Sequence, residues 1–211
     1  MDLIPQWERS FSLTFNQSDF AQVSTVGEMV WAVERRLAAC RVQDENLGCS
    51  SQRVFYWLRR MLADLGFSPD ALTPDTQLQE LLPLKNRRKI WKQMQAASRL
   101  PLPELGAPFS LFFGLWAVAT VGVWTAAPTG WLAGLVGLCF AIVAYHWPFV
   151  QVCLPVTTLG ALATRLVHEH YHSVNPGYIN PHEVRRMLLA DLAAYGAVDP
   201  KELGPATKLV W

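Results

Sequence analysis

Over most of its length this chain spaces its apolar residues three and four apart, the period of helices with one buried face. In the middle, the polar positions disappear. From Leu105 to Thr164 there is no Lys, Arg, Asp or Glu, and His146 is the single imidazole. Two apolar runs fill this block, about 109–126 (FSLFFGLWAVATVGVWTA) and 131–150 (WLAGLVGLCFAIVAYHWPFV), joined at Pro128-Thr129-Gly130. Each is near the roughly 17–25 residues that carry a helix across ~30 Å of hydrocarbon. The pattern predicts a transmembrane hairpin, because a helix satisfies its own backbone where lipid cannot.

On either side the helical period returns. Thr25 with Glu28 forms a capping-box pattern that opens a helix running to about Ala39, with Val26, Met29, Val30, Val33 and Leu37 on one face. A second helix is expected from Gln52 to Leu65, with Val54, Phe55, Leu58, Met61, Leu62 and Leu65 inward and Gly66 as its C-terminal cap. A third stretch, Asn86 to about Ser98, carries Ile90, Trp91 and Met94 on its apolar side. Leu100 to Pro108 reads as a proline-spaced connector. Beyond the hairpin, one helix runs from about Thr158 to Tyr171, and another begins near His182. At the N-terminus, FSLTF (11–15) alternates like a short strand.

Charge adds orientation. Lys85, Arg87, Arg88, Lys89, Lys92 and Arg99 precede the hairpin, Arg165 follows it, and the turn between the runs has no charge. The positive-inside rule then puts both termini in the cytoplasm of an inner membrane crossed twice. The N-terminus lacks a basic segment followed by an apolar run, so no cleavable signal peptide is expected. A net charge of +1, with no basic stripe interleaved with aromatics, argues against nucleic acid as a partner. Cys40, Cys49, Cys139 and Cys153 have no metal-type spacing and read as reduced thiols.

The chain also repeats itself. Thr158-Leu159-Gly160 follows the pattern of Thr25-Val26-Gly27. Val184, Leu188, Leu192, Ala193 and Gly196 match Val54, Leu58, Leu62, Ala63 and Gly66 at one offset. After a one-residue insertion, Leu203, Pro205, Thr207 and Leu209 match Leu72, Pro74, Thr76 and Leu78. Three shared features in one order point to a duplicated unit.

The amphipathic helix, glycine, loop and L-T-P-D-T-Q-L-Q-E-L of the first copy (Leu72 to Leu81) resemble the acyl carrier protein family. The resemblance covers about 52–100 and, truncated, 182–211. It implies a small helical bundle whose loop leads into a second helix. It also implies a serine for a phosphopantetheine arm shortly after Leu81. The chain reads Leu82-Pro83-Leu84-Lys85-Asn86-Arg87-Arg88 there, with no serine between Ser68 and Ser98. A basic helix stands where such carriers are acidic. The resemblance therefore implies a docking module without the carrier's chemistry, around a hairpin arrangement also seen in uncharacterised bacterial membrane proteins.

The sharpest chemical motif is His168-Glu169-His170-Tyr171-His172, a literal H-E-x-x-H. On an unbroken helix His168 and His172 share a face and could ligate zinc, with Glu169 as general base. His170 is a further nitrogen donor, and His182, Glu183 or Asp191 could supply a third ligand. Asn175-Pro176-Gly177 ends the helix soon afterwards, and histidines also suit helix C-termini for dipole reasons. His146 is a polar group at the edge of the second run. Arg87, Arg88, Lys89 and Lys92 form a basic set that would face anionic lipid or merely solvent.

These observations predict an all-α protein with two small carrier-like helical units flanking a transmembrane hairpin. The divisions are an N-terminal segment (1–23), a first unit (24–100), a connector (101–108), the hairpin (109–155) and a second unit (156–211). The expected role is non-enzymatic, with cytoplasmic modules docking a protein partner and no cofactor. A membrane-bound zinc hydrolase, and an immunity or accessory membrane protein for a toxin or secretion system, are the alternatives.

Overall fold

The computed structural model describes residues 3–44, 48–106, 153–196, 199 and 203–208. The described chain is mostly helical. In order, the elements are α1 (Leu3–Phe11), α2 (Val26–Cys40), β1 (Val42–Gln43), α3 (Ser50–Asp64), α4 (Leu78–Leu81), α5 (Leu84–Ala97), α6 (Leu159–Val174), β2 (Tyr178–Ile179) and α7 (Pro181–Gly196). Short 3-10 turns occur at Gln17–Phe20 and Pro69–Ala71. Two compact units result: one of Met1–Ala63 with Ala163–Trp211, the other of Asp64–Leu162.

In the first unit, helix period dictates which residues are buried. Val26, Met29, Val30, Val33 and Leu37 of α2 point inward, as do Val54, Phe55, Leu58, Met61 and Leu62 of α3. Leu166, Val167 and Tyr171 of α6 and Val184, Met187, Leu188 and Leu192 of α7 complete the core. α2 packs against α7. β1 and β2 pair in parallel, Val42 opposite Tyr178 and Gln43 opposite Ile179. α1 has no counterpart in the sequence expectation. It contributes Trp7 and Phe11, each 1% exposed, and Phe11 meets the Tyr171 ring edge-on at 5.5 Å between centroids. The alternation in FSLTF comes from a turn: Phe11 closes α1, Ser12 takes a left-handed φ of 49°, and Phe15 donates its amide to Glu8 at 2.8 Å.

The second unit buries Leu72, Leu78, Leu82, Trp91, Met94, Leu102, Leu105, Leu159 and Leu162. The connector runs beside α5, where Trp91 Nε1 donates to the Pro103 carbonyl at 3.0 Å. It ends in a bridge between Gly106 and Cys153.

The repeated sequence features are two sides of one contact, formed once in each unit. The first amides of a helix have no intrahelical acceptor. At the start of α2, Val26 and Gly27 donate to the carbonyls of Thr207 and Pro205, both at 2.9 Å. At the start of α6, Leu159 and Gly160 donate to Thr76 and Pro74 at 3.0 and 2.8 Å. Each loop is closed in the same way, with Thr207 or Thr76 Oγ1 accepting from the amide three residues earlier, Gly204 at 3.0 Å or Thr73 at 2.8 Å. Glycine is required because the backbones approach closely. A Cβ on Gly27 would lie 2.8 Å from the Pro205 carbonyl oxygen, and one on Gly160 would lie 2.9 Å from that of Pro74. In both docks the loop belongs to one copy of the repeat and the helix to the other.

The membrane reading is corrected. Among the described residues no helix is long and apolar enough to cross a membrane. The longest, α6 and α7, have 16 residues each and carry Arg165 and Glu169, or Glu183, Arg185 and Arg186. The runs at 109–126 and 131–150, with His146, lie outside the described residues. Two spans and an inner-membrane location, with the lipid bilayer as partner, therefore have no support among the described residues.

Candidate docking surface

In the first unit, α2 presents an exposed face beside a depression. Its N-cap, Thr25, accepts from the Glu28 amide at 3.3 Å, while Glu28 Oε2 accepts from the amides of Ser24 and Thr25 at 2.8 and 3.0 Å. These bonds, those from Ser24 first, hold the Glu28 carboxyl below its ordinary value of 4.5. With the apolar face inward, the opposite face carries Trp31, 57% exposed, and Arg35, whose guanidinium lies over the Trp31 ring at 5.1 Å.

Beside them is an open depression of about 750 Å³, lined among others by Gln22, Glu28, Trp31, Ala32, Arg35 and Arg36. Its two carboxylates are committed, Glu28 to the cap and Asp19 to the Asn16 amide at 2.8 Å. Its cations are not. Neither Arg35 nor Arg36 forms an ion pair among the described residues, and the Arg36 Nε is buried without a hydrogen-bond partner. Arg35 and Arg36 line the depression and offer guanidinium donors to an incoming carboxylate or carbonyl. Trp and Arg in such a position are the side chains that dominate protein–protein binding energies. Sequence reasoning assigned α2 only its inward face. The signal available was WAVERR (31–36), which puts Trp31 and Arg35 four apart on the polar side.

The histidine motif lies at the end of α6, where the backbone leaves the helix at His170 (φ −136°, ψ 38°). His168 and His172 therefore do not share an uninterrupted turn. His168 Nδ1 sits 3.6 Å from Asp191 Oδ1, and Asp191 Oδ2 accepts from Trp7 Nε1 at 3.0 Å. The His168 carbonyl accepts from the Ser10 hydroxyl, so this corner fastens α1 to α6 and α7. Glu169 is paired with Arg165 at 2.7 Å, and His172 Nδ1 is buried without a partner. His182 is exposed, and Glu183 is occupied elsewhere. Among the described residues no three His, Cys, Asp or Glu groups gather to hold a metal ion. The residues do not fit the zinc site that the motif spells.

Glu183 instead caps α3. Its carboxylate accepts from the Ser50 amide at 3.0 Å and the Ser50 hydroxyl at 2.5 Å. Asn175 donates to Ser50 Oγ at 2.8 Å and accepts from Arg53. Ser50, Asn175 and Glu183 are 0%, 2% and 5% exposed, so this network is satisfied within the protein and out of reach of substrate. Beside it the fully buried Tyr171 hydroxyl accepts from the Asn180 amide at 3.0 Å, and burial pushes its pKa up. None of these partners was legible beforehand, because all join residues more than 100 apart except the Tyr171–Asn180 pair.

Of the basic set, Arg87 needs correction as a surface residue. It is 7% exposed, and its Nε donates to the Leu82 carbonyl at 2.8 Å. Lys89 and Lys92 are exposed and Arg88 is half-buried.

Compared with protein-family models, curated proteins and solved structures, the chain matches none.

Proposed function

We propose that this chain is a non-enzymatic docking protein whose first unit holds a protein partner in the depression beside α2. The observation that carries the reading is an exposed, arginine-stacked Trp31 on a depression whose arginines, Arg35 and Arg36, form no ion pair among the described residues. Trp31 offers a large rigid surface at low entropic cost, and Arg35 and Arg36 offer cationic donors on the lining of the depression. The partner segment that fits presents an apolar side chain to Trp31 and an oxygen acceptor to Arg36. The serine-less, carrier-like repeats act in this reading as the scaffold that presents α2.

The experiment is affinity capture with the full chain, with Trp31→Ala/Arg36→Ala and with Tyr195→Ala, whose ring is 60% exposed on α7. The expected result is one protein retained by the wild type and Tyr195→Ala and lost from the double variant. Purified, it should bind the wild type at least about tenfold more tightly than the double variant, the equivalent of ~1.4 kcal/mol. An identical captured set from all three forms overturns the proposal.

A further inference from the structure

The second unit carries a surface that the proposed α2 site does not use. In α5, Lys85, Arg88, Lys89 and Lys92 fall at positions i, i+3, i+4 and i+7, one stripe of a helix. The opposite face is fixed by burial, with Trp91 1% and Met94 0% exposed. Lys85, Lys89 and Lys92 are exposed and form no ion pair among the described residues. α5 contains no acidic residue at all. Like charges at i and i+4 repel along a helix, and Lys85 with Lys89 is such a pair on this stripe. The whole chain has a net charge of only +1, so the stripe is a local concentration rather than a general basicity.

Apolar features border it. Leu84 is 66% exposed one turn before Arg88. A depression of about 200 Å³ lies among Arg88, Trp91, Lys92, Gln95, Glu104 and Leu105.

We propose that the outer face of α5 docks an acidic amphipathic helix of a protein partner. Carboxylates at i, i+3, i+4 and i+7 of such a helix recur with the same ~5.4 Å pitch as the α5 cations. A neighbouring apolar side chain of that helix covers Leu84 and another enters the depression beside Trp91. Nucleic-acid phosphates match the charge and leave the apolar border uncovered.

The test uses the full chain and a synthetic helical peptide bearing glutamates at those four positions beside a leucine stripe. Controls are a scrambled peptide of the same composition, a duplex oligonucleotide, and vesicles of phosphatidylcholine with phosphatidylserine. The expected result is binding of the ordered peptide that weakens several-fold when the screening length falls from about 10 Å to about 3 Å with added salt. Lys85→Ala/Lys89→Ala/Lys92→Ala should reduce it at least tenfold, Leu84→Ser should reduce it too, and Trp31→Ala/Arg36→Ala should leave it unchanged. That last arm separates this site from the α2 site. Equal binding of the scrambled peptide, retention of binding by the triple variant, or binding of the vesicles or oligonucleotide in place of the peptide overturns the proposal.

Discussion

Gly27 and Gly160 make the same demand at two places, and each can be tested by one methyl group. A Cβ at either position meets a proline carbonyl oxygen at under 3.0 Å, and that oxygen belongs to backbone held by the dock's own hydrogen bonds. At these first-turn positions alanine would gain at most about 0.5–1 kcal/mol from helix propensity and lose more to overpacking, typically ~1–3 kcal/mol. Gly27→Ala and Gly160→Ala should therefore each lower the denaturation midpoint. Gly48→Ala, where nothing lies within 4 Å, should leave it within the effect of about 0.5 kcal/mol common for surface changes. Tyr171 supplies a pH-dependent case. Its folded pKa is raised above the ordinary 10.0 chiefly by burial, so its contribution is complete below that value and lost as pH rises through the folded value, because the unfolded chain deprotonates first. Tyr171→Phe should cost about 0.5–1.5 kcal/mol at neutral pH by removing the hydroxyl that accepts from the Asn180 amide. It should also lose less further stability than the wild type in alkaline denaturation series. At this scale the sequence displayed the glycines and the Pro-x-Thr turns as a repeat. It did not display that they touch, because the contact joins the two copies rather than lying within either.

The elements show which local signals are strong enough to be read alone. α2, α3 and α5 carry clear helical periods and form within two residues of where those periods place them. The Thr25–Glu28 capping box is present with both of its reciprocal bonds. α1 was missed although Leu3, Ile4, Trp7 and Phe11 recur at helical spacing: Pro5 in its first turn and the alternation of FSLTF (11–15) obscured it, and its burial depends on Tyr171 and Asp191, far away in sequence. α6 failed in the opposite sense. The H-E-x-x-H spacing presupposes an unbroken helix, and the non-helical His170 removes that premise. Between α2 and α7, Arg185 holds Glu34 through two bonds of 2.9 Å. With the Arg185 side chain 59% exposed, a double-mutant cycle of Arg185→Ala and Glu34→Ala in chemical denaturation should give a coupling of only ~0.2–1 kcal/mol. A coupling several times larger would mean that the pair sits in a drier setting than its exposure indicates.

For the molecule as a whole, the repeated pattern in the sequence has a structural meaning that differs from a pair of side-by-side copies. The opening helix of each copy is completed by the loop of the other, once in each compact unit. The polar face of α2, with Trp31 and Arg36, was obscured because charged residues on a helix usually mean no more than a solvated side. The depression, the stacked Trp31 and arginines without an ion pair among the described residues distinguish this one. The central claim is that a protein segment lies there. A photoreactive phenylalanine analogue placed at position 39, on the lining of the depression, and in a separate variant at position 195 measures this directly in cells. The account predicts one discrete protein adduct from position 39, absent from position 195 and lost when Trp31→Ala/Arg36→Ala is added. No discrete adduct from position 39, or the same adduct surviving the double substitution, would contradict it.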